Sequence, residues 1–268
     1  MNLIDLGACP ICGGSFRTLG WAATICPGSA EAPELRSCLG CGHWWHSPVP
    51  DQASLVELYG SASRYVVGPD EASFRAAPKP EGTFDRFAIG IIDRLERARY
   101  LEIGAGGGQM MRSVQHLGFD CYGVDPGQWT SDPAIRRSLD DWPAELTFRV
   151  FLLQDVIEHV LDPVELLERV RRRADERSVV IASFPCCESR AARLYGTRWD
   201  MVRPYGHLHY FSRQSAMALF ERARWKVLRT SLARVRSLWD LLLEFRPRVL
   251  AHELLKAGPD QIYVHASV

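Results

Sequence analysis

Glycine lacks the Cβ that keeps other backbones away from a ligand, and the run Glu102-Ile103-Gly104-Ala105-Gly106-Gly107-Gly108-Gln109 places four glycines behind one carboxylate. The apolar residues before it read as a short buried strand that turns through the glycines into a helix. Asp125 lies 21 residues beyond Gly104, at the end of a second strand-like run from Cys121 to Val124. A carboxylate at that strand end can accept hydrogen bonds from both hydroxyls of a ribose, so the two features have the layout of a nucleoside site. A dinucleotide loop has the form G-x-G-x-x-G/A, and its third small residue would fall where Gln109 stands. The better fit is E-x-G-x-G-x-G, through Glu102, Gly104, Gly106 and Gly108. Charge agrees with this choice. A pyrophosphate seeks helix-end N–H groups with no anion nearby, and Glu102 would repel it while favouring a cation.

This motif resembles the first motif of class I S-adenosylmethionine-dependent methyltransferases. Two further blocks carry the same resemblance. Gln154-Asp155-Val156-Ile157-Glu158-His159-Val160-Leu161-Asp162-Pro163 matches the form D-x-x-E-H-x-x-D-P at a strand-to-helix junction, with Asp162 suited to cap the next helix and Pro163 to its first position. Gly206-His207-Leu208-His209-Tyr210-Phe211-Ser212 resembles part of the C-terminal half. The resemblance runs from about Phe84 to the end of the chain. It implies an α/β fold, a doubly wound, Rossmann-like sheet of seven strands, with Gln261 to Ala266 as the candidate for an antiparallel seventh strand. It implies S-adenosylmethionine as cofactor, with Glu102 near the methionyl amine through water and Asp125 on the ribose hydroxyls. Gln154 and Asp155 would floor the site near the transferring methyl. Asp140 and Asp141 lie where the family places an acid for the adenine amino group; a solvated turn is the equal alternative.

Methyl transfer to oxygen calls for a base, and His159 is the first candidate, with a polar helix cap as its alternative. Some quinone-pathway O-methyltransferases that the D-x-x-E-H motif resembles hold a divalent ion there. Asp155, Glu158 and His159 have suitable donors, but adjacent positions diverge and a metal is disfavoured. His207 and His209 alternate, so both can face the acceptor or serve as structural histidines. Trp199 and Tyr205 could form an aromatic acceptor wall. Cys186 and Cys187 have no basic neighbour in sequence and read as inert.

Cys9-Pro10-Ile11-Cys12-Gly13 and Cys38-Leu39-Gly40-Cys41-Gly42 are two C-x-x-C-G knuckles. Two such pairs give a tetrahedral four-thiolate zinc site, and the segment resembles a zinc ribbon. The 25 residues between the pairs exceed the usual span of roughly fifteen to twenty, which calls for a longer hairpin or loop. Four thiolates leave no open position, so Cys9, Cys12, Cys38 and Cys41 are assigned a structural zinc. Cys26 reads as a spare thiol, and His43 and His46 as surface or packing residues. Trp44 and Trp45 are placed to pack on the main domain or to shape the acceptor cleft.

The elements follow from hydrophobic periodicity. Phe84, Phe87, Ala88, Ile91, Ile92 and Leu95 have helical spacing. Strands are expected at 99–103, 120–124, 149–154, 178–184, 225–231 and 261–267, and helices at 107–117, 163–173 and 213–223. Only 24 residues separate Asp125 from Val150, so the helix and strand the family fits there must be abridged. Residues 1–48 form the zinc module, 49–82 a linker with one short helix at Gln52 to Tyr59, and 83–268 the methyltransferase domain, with Pro78 to Gly82 marking the boundary. Leu238 to Leu255, leucine-rich and broken by Pro247, reads as two short helices.

A net charge of zero gives no global field toward nucleic acid or membrane. No signal peptide and no bilayer-spanning run are read, so a cytoplasmic enzyme is expected. The leading reading is a methyltransferase for a small-molecule acceptor, O-methylation favoured, with a sugar or biosynthetic intermediate in view. A ribosomal RNA methyltransferase and a non-catalytic methyltransferase-fold binding protein are the alternatives. Neutral charge and the lack of a basic stripe argue against the first, and the intact motif argues against the second.

Overall fold

Phe84, Ala88 and Ile92 are buried along one side of the helix Thr83–Ile92, as their spacing of four requires. That helix covers one face of the central sheet. The computed structural model describes residues 2–22, 32–60, 83–127, 130–203, 206–233 and 260–268. Cys26, Tyr205, the Pro78 to Gly82 boundary and the Leu238 to Leu255 helices lie outside the described residues. In chain order the strands are β1 (Leu3–Ile4), β2 (Phe16–Trp21), β3 (Glu34–Cys38), β4 (Trp44–Ser47), β5 (Val49–Pro50), β6 (Arg99–Ile103), β7 (Asp120–Val124), β8 (Ile135–Arg136), β9 (Phe148–Gln154), β10 (Ala174–Pro185), β11 (His209–Tyr210), β12 (Lys226–Ala233) and β13 (Gln261–Ser267).

Seven of these form one sheet in the order β12-β13-β10-β9-β6-β7-β8. β13 runs antiparallel to β10 and β12, and the β6–β7, β6–β9, β7–β8 and β9–β10 pairs are parallel. The fold is therefore the expected α/β sheet, and Gln261–Ser267 is its antiparallel strand. Val150 to Leu153 and Val180 to Ala182 are fully buried. Helices cover both faces of these central strands, so they are apolar throughout and do not alternate. Helices Pro163–Arg172 and Arg213–Arg222 pack on one face through Leu167, Val170, Leu219 and Phe220. Helices Thr83–Ile92 and Gln109–His116 pack on the other through Phe84, Ala88, Met111 and Val114. Asp162 caps its helix as expected, accepting from the N–H groups of Val164 and Glu165.

The abridged region is where the sequence was hardest to read. Between β7 and β9 the chain makes only the two-residue β8, paired as Gly123↔Ile135 and Val124↔Arg136. A two-residue strand has no period to detect. One guanidinium then secures the turn that follows: Arg173 donates to the carbonyls of Leu139 (3.0 Å), Trp142 (2.9 Å) and Pro143.

A second sheet has the order β11-β4-β3-β2. β2, β3 and β4 are the amino-terminal hairpins, whereas β11 comes from the C-terminal half and pairs as Tyr210↔Trp44 and His209↔Trp45. Ile11, Cys38, Cys41 and Trp45 belong to the same buried cluster as Phe184 and Phe211. Trp45 thus joins the main core.

Candidate active site

Three carboxylates meet at the C-terminal ends of the parallel strands, where an open α/β sheet forms its ligand crevice. Glu102 sits on β6, Asp125 directly follows β7 and Asp155 directly follows β9. The glycine loop is shaped by left-handed backbone at Gly104 (φ 76°), Gly106 (φ 50°) and Gly108 (φ 77°). A Cβ at Gly104 would lie 2.4 Å from Val156 Cγ2, so a side chain is barred by contact as well as by φ. Gly104→Ala is expected to cost at least about 2 kcal/mol, visible as a fall of roughly 5 °C in the thermal midpoint.

Asp125 is clamped between two backbone donors. Its Oδ2 accepts from Gly106 N–H and its Oδ1 from Gly127 N–H, each at 2.8 Å. A carboxylate offers about four lone-pair sites, so capacity remains for further donors. Glu102 is buried and accepts from the Tyr100 hydroxyl at 3.0 Å. Burial raises its carboxyl to about 8, with Asp85 and Asp125 adding repulsion and the Tyr100 bond opposing. Asp155 holds a left-handed backbone (φ 52°) unusual for a side-chain-bearing residue. Its carboxylate accepts from Gln261 Nε2 at 2.8 Å and lies 3.4 Å from the Ser183 hydroxyl. Desolvation of the carboxyl by its surroundings lifts it to about 6 against those two bonds, although the residue as a whole is exposed. Gln154, the last residue of β9, sits half-buried beside it. Asp140 is drawn elsewhere: its exposed carboxylate pairs with Arg169 at 2.7 Å, while Asp141 closes a capping box with Ser138.

The histidines divide into two kinds. His159 lies in the 3-10 turn Ile157–His159, not in the first turn of a helix. Its Nδ1 contacts the Gly206 carbonyl and the Tyr59 hydroxyl, the latter at 2.9 Å. A carbonyl can only accept, so Nδ1 carries the proton and Nε2 the lone pair. Burial depresses His159 to about 4 and His207 to about 3, so both are neutral near pH 7. His207 Nδ1 lies 2.9 Å from the Met201 carbonyl, and its ring meets that of His159 edge-on at 4.8 Å. His209 corrects the expectation of an acceptor contact. It is fully buried, with Nε2 on the Val160 carbonyl (3.0 Å) and Nδ1 on His43 Nε2 (3.2 Å). Both of its nitrogens are used within the protein. His43 and His46 are likewise fully buried and pack, not surface residues. Trp199 is also buried, against Tyr210 at 5.8 Å, and so lies in the core rather than on an open acceptor wall.

The sequence model described as a methyltransferase domain matches residues 76–230, more than half of the chain. The chain belongs to this methyltransferase family. No curated protein matches it. An S-adenosylmethionine-dependent methyltransferase from Mesorhizobium loti is similar in structure at 17% identity, with 71% of this chain and 100% of that one covered and a TM-score of 0.51. The 1,6-didemethyltoxoflavin-N1-methyltransferase of Burkholderia thailandensis, solved with its acceptor and S-adenosylhomocysteine, gives 15% identity, 92% and 99% coverage and a TM-score of 0.53. Haemonchus contortus phosphoethanolamine N-methyltransferase 2 gives 14% identity, 84% and 62% coverage and a TM-score of 0.54. At such identities the likeness is one of fold.

At the edge of the methyltransferase domain the four cysteines converge. Cys9 and Cys41 sulfurs are 3.6 Å apart, Cys12 and Cys38 sulfurs 3.4 Å, and all four lie within 4.8 Å of one another. Thiolates on one tetrahedral zinc stand about 3.8 Å apart, so the cluster needs little adjustment to fit one. The N–H groups of Gly40 and Cys41 point at Cys38 sulfur (3.3 and 3.4 Å). Burial opposes ionisation at Cys38, yet those N–H groups and the Cys12 thiol draw it down to about 7. A Cβ at Gly14 would lie 3.2 and 3.3 Å from the sulfurs of Cys12 and Cys38, so glycine there leaves room for the cluster. Cys186 and Cys187 are buried with raised thiols, in keeping with inert residues.

Sequence reasoning missed Asp85, Gln261, Ser183, Tyr59 and Tyr100. Asp85 sits on the polar side of an amphipathic helix, a position that reads as solvent-facing, yet it acts electrostatically on Glu102 and Asp155. Tyr100 lies two residues before Glu102 on β6, while Ser183 and Gln261 come from other strands of the sheet and Tyr59 from the helix Gln52–Gly60.

Proposed function

We propose that this methyltransferase takes its methyl group from S-adenosylmethionine and transfers it to a small-molecule acceptor, an oxygen atom on a sugar or biosynthetic intermediate being favoured. The observation that carries the reading is Asp125 tied to the glycine loop through Gly106 N–H, one strand away from the buried Glu102. The glycine backbone lets adenosine lie close, Asp125 takes the ribose hydroxyls, and Glu102 answers the positive methionyl end through water. Asp140 enters only at the adenine end: an exposed ion pair is worth roughly 0–1 kcal/mol, so a ligand can displace Arg169 from it. Gln154 and Asp155 bound the space into which the methyl projects. The reaction is an in-line displacement, with the chemistry supplied by the sulfonium and alignment by the protein. His159, neutral and half-buried, is the base candidate for an O–H acceptor, with His207 beside it. We assign the four cysteines a structural zinc and keep 1–48, 49–82 and 83–268 as module, linker and catalytic domain. Among the described residues no helix is long and apolar enough to cross a membrane.

The charge of Glu102 supplies a test. With a folded value near 8 against 4.5 for a free carboxyl, Glu102 is protonated in the ligand-free protein at neutral pH. Its contribution to stability is present at low pH and is lost as pH rises from 4.5 through 8. A cationic ligand favours the ionised form, so binding releases a proton. Between pH 5.5 and 7, below the amine's own titration, affinity for S-adenosylmethionine should rise by up to about tenfold per pH unit. Glu102→Gln should flatten that slope. Calorimetry in buffers of different ionisation enthalpy reads the proton directly; a slope unchanged in Glu102→Gln would remove Glu102 from the cofactor site.

A further inference from the structure

Two imidazoles sit in the core where packing alone would favour apolar side chains. His43 and His209 are fully buried. The His43 ring lies 6.1 Å from Trp45, 4.7 Å from Phe211 and 5.3 Å from His209, centroid to centroid. Leucine or phenylalanine would fill such a place with no polar atom to satisfy. The hydrogen bonds show what the nitrogens add. His209 Nε2 lies 3.0 Å from the Val160 carbonyl, and its Nδ1 lies 3.2 Å from His43 Nε2.

The partners fix the direction of this chain of bonds. A carbonyl only accepts, so His209 carries its proton on Nε2. Burial holds His209 neutral, lowered to about 4. Its Nδ1 is therefore an acceptor, and His43 Nε2 is the donor. The line runs one way, from His43 through His209 to Val160. A second line lies beside it in the main chain. His46 N–H donates to the Leu208 carbonyl at 3.1 Å, and Leu208 N–H donates to the Glu158 carbonyl at 2.7 Å. Both lines start in or next to β4, and His43 is itself tied to the second cysteine knuckle, its carbonyl accepting from Cys38 N–H at 2.8 Å. Both end on the turn after β9, one residue to either side of His159. A turn held at Glu158 alone could pivot. Held at Val160 as well, it has one orientation, and the His159 ring leaves the backbone in one direction.

We propose that His43 and His209 are positioning residues, through which the amino-terminal module aims the His159 ring. Neither histidine touches the reacting atoms. This role rests on His159 as the base candidate. The hydrogen-bond line itself does not depend on the acceptor, so it can be tested before the acceptor is known.

The test uses full-length protein labelled with nitrogen-15, near neutral pH. Long-range imidazole correlations read the tautomers, and His43 and His209 should both carry the proton on Nε2. Amide exchange is then compared in two variants. Glutamine can place an N–H donor where imidazole Nε2 stood, whereas leucine fills the space without one. In His43→Leu the amides of His159 and Leu208 should exchange about tenfold faster or more, while those of Leu152 and Val180 in the central sheet stay within about threefold of wild type. The His159 ring resonances should move in the same variant. His43→Gln should return both readouts to near their wild-type values. Unchanged exchange in His43→Leu, an equal rise in the central strands, no rescue by glutamine, or a proton on Nδ1 of His209 would each overturn the assignment. Should His43→Leu fail to fold, the wild-type tautomers and His43→Gln decide. Absence of S-adenosylmethionine binding by wild type, read by calorimetry, would instead overturn the functional reading on which the role of His159 rests.

Discussion

Asp125→Ala should weaken S-adenosylmethionine binding on the order of 100-fold. Hydrogen bonds to a charged acceptor are each worth about 1.5–3 kcal/mol. Two ribose hydroxyls on one carboxylate therefore supply about 3 kcal/mol at the low end, or two powers of ten in dissociation constant. The same substitution releases the N–H groups of Gly106 and Gly127 from their shared acceptor, so the loop loses an anchor as well. Asp125→Asn separates the two effects. Its amide oxygen can still accept from one of those N–H groups, so the loop should hold its shape while the charge-assisted bonds weaken. A loss of tenfold or so in Asp125→Asn, against the full loss in Asp125→Ala, is the pattern expected by calorimetry.

Removal of the zinc assigned above to the four cysteines should impair methyl transfer while leaving cofactor affinity nearly intact. The strands β2 to β4 are fastened to the segment from Cys187 to Ser212. β4 pairs with β11, the Ser212 hydroxyl donates to the Cys41 carbonyl at 2.6 Å, and Cys187 sulfur lies 3.3 Å from the Gly42 carbonyl. His207 and His209 lie in or next to that strand. Glu102 and Asp125 belong to β6 and the end of β7, which pair only within the main sheet. A structural zinc contributes about 10–16 kcal/mol to a small metal-folded unit. Cys38→Ala should then lower the thermal midpoint by roughly 10 °C or more. Turnover should fall at least tenfold, and the dissociation constant for S-adenosylmethionine should move less than about threefold. Equal damage to both sites would show that the module supports the whole sheet.

The parts of the site legible in advance were those encoded by local rules. Gly104, Gly106 and Gly108 announced themselves because left-handed backbone leaves few other residues. Asp162 and Pro163 did so because a helix start demands a cap. The central strands were legible because β9 and β10 carry unbroken apolar runs, Val150 to Leu153 and Val179 to Ala182. Long-range pairing has no such signature. Nothing near Trp44 and Trp45 in sequence tells that they add a strand from residues 209–210, and nothing near Asp155 points to Gln261. The alternation of His207 and His209 suggested one shared face. The chain instead directs His207 toward His159 and His209 toward His43, because β11 is only two residues long and the segment before it is not strand. Asp140 was transferred by position alone, and its pairing with Arg169 across the abridged loop had no local signal.

The most direct test is a crystal structure with S-adenosylhomocysteine. Both ribose hydroxyls should lie on the Asp125 carboxylate, the amino group should approach Glu102 directly or through one water, and the sulfur should face Gln154 and Asp155. Ligand bound away from Asp125 and Glu102 with the glycine turn empty, or a diphosphate seated in that turn, would contradict the account.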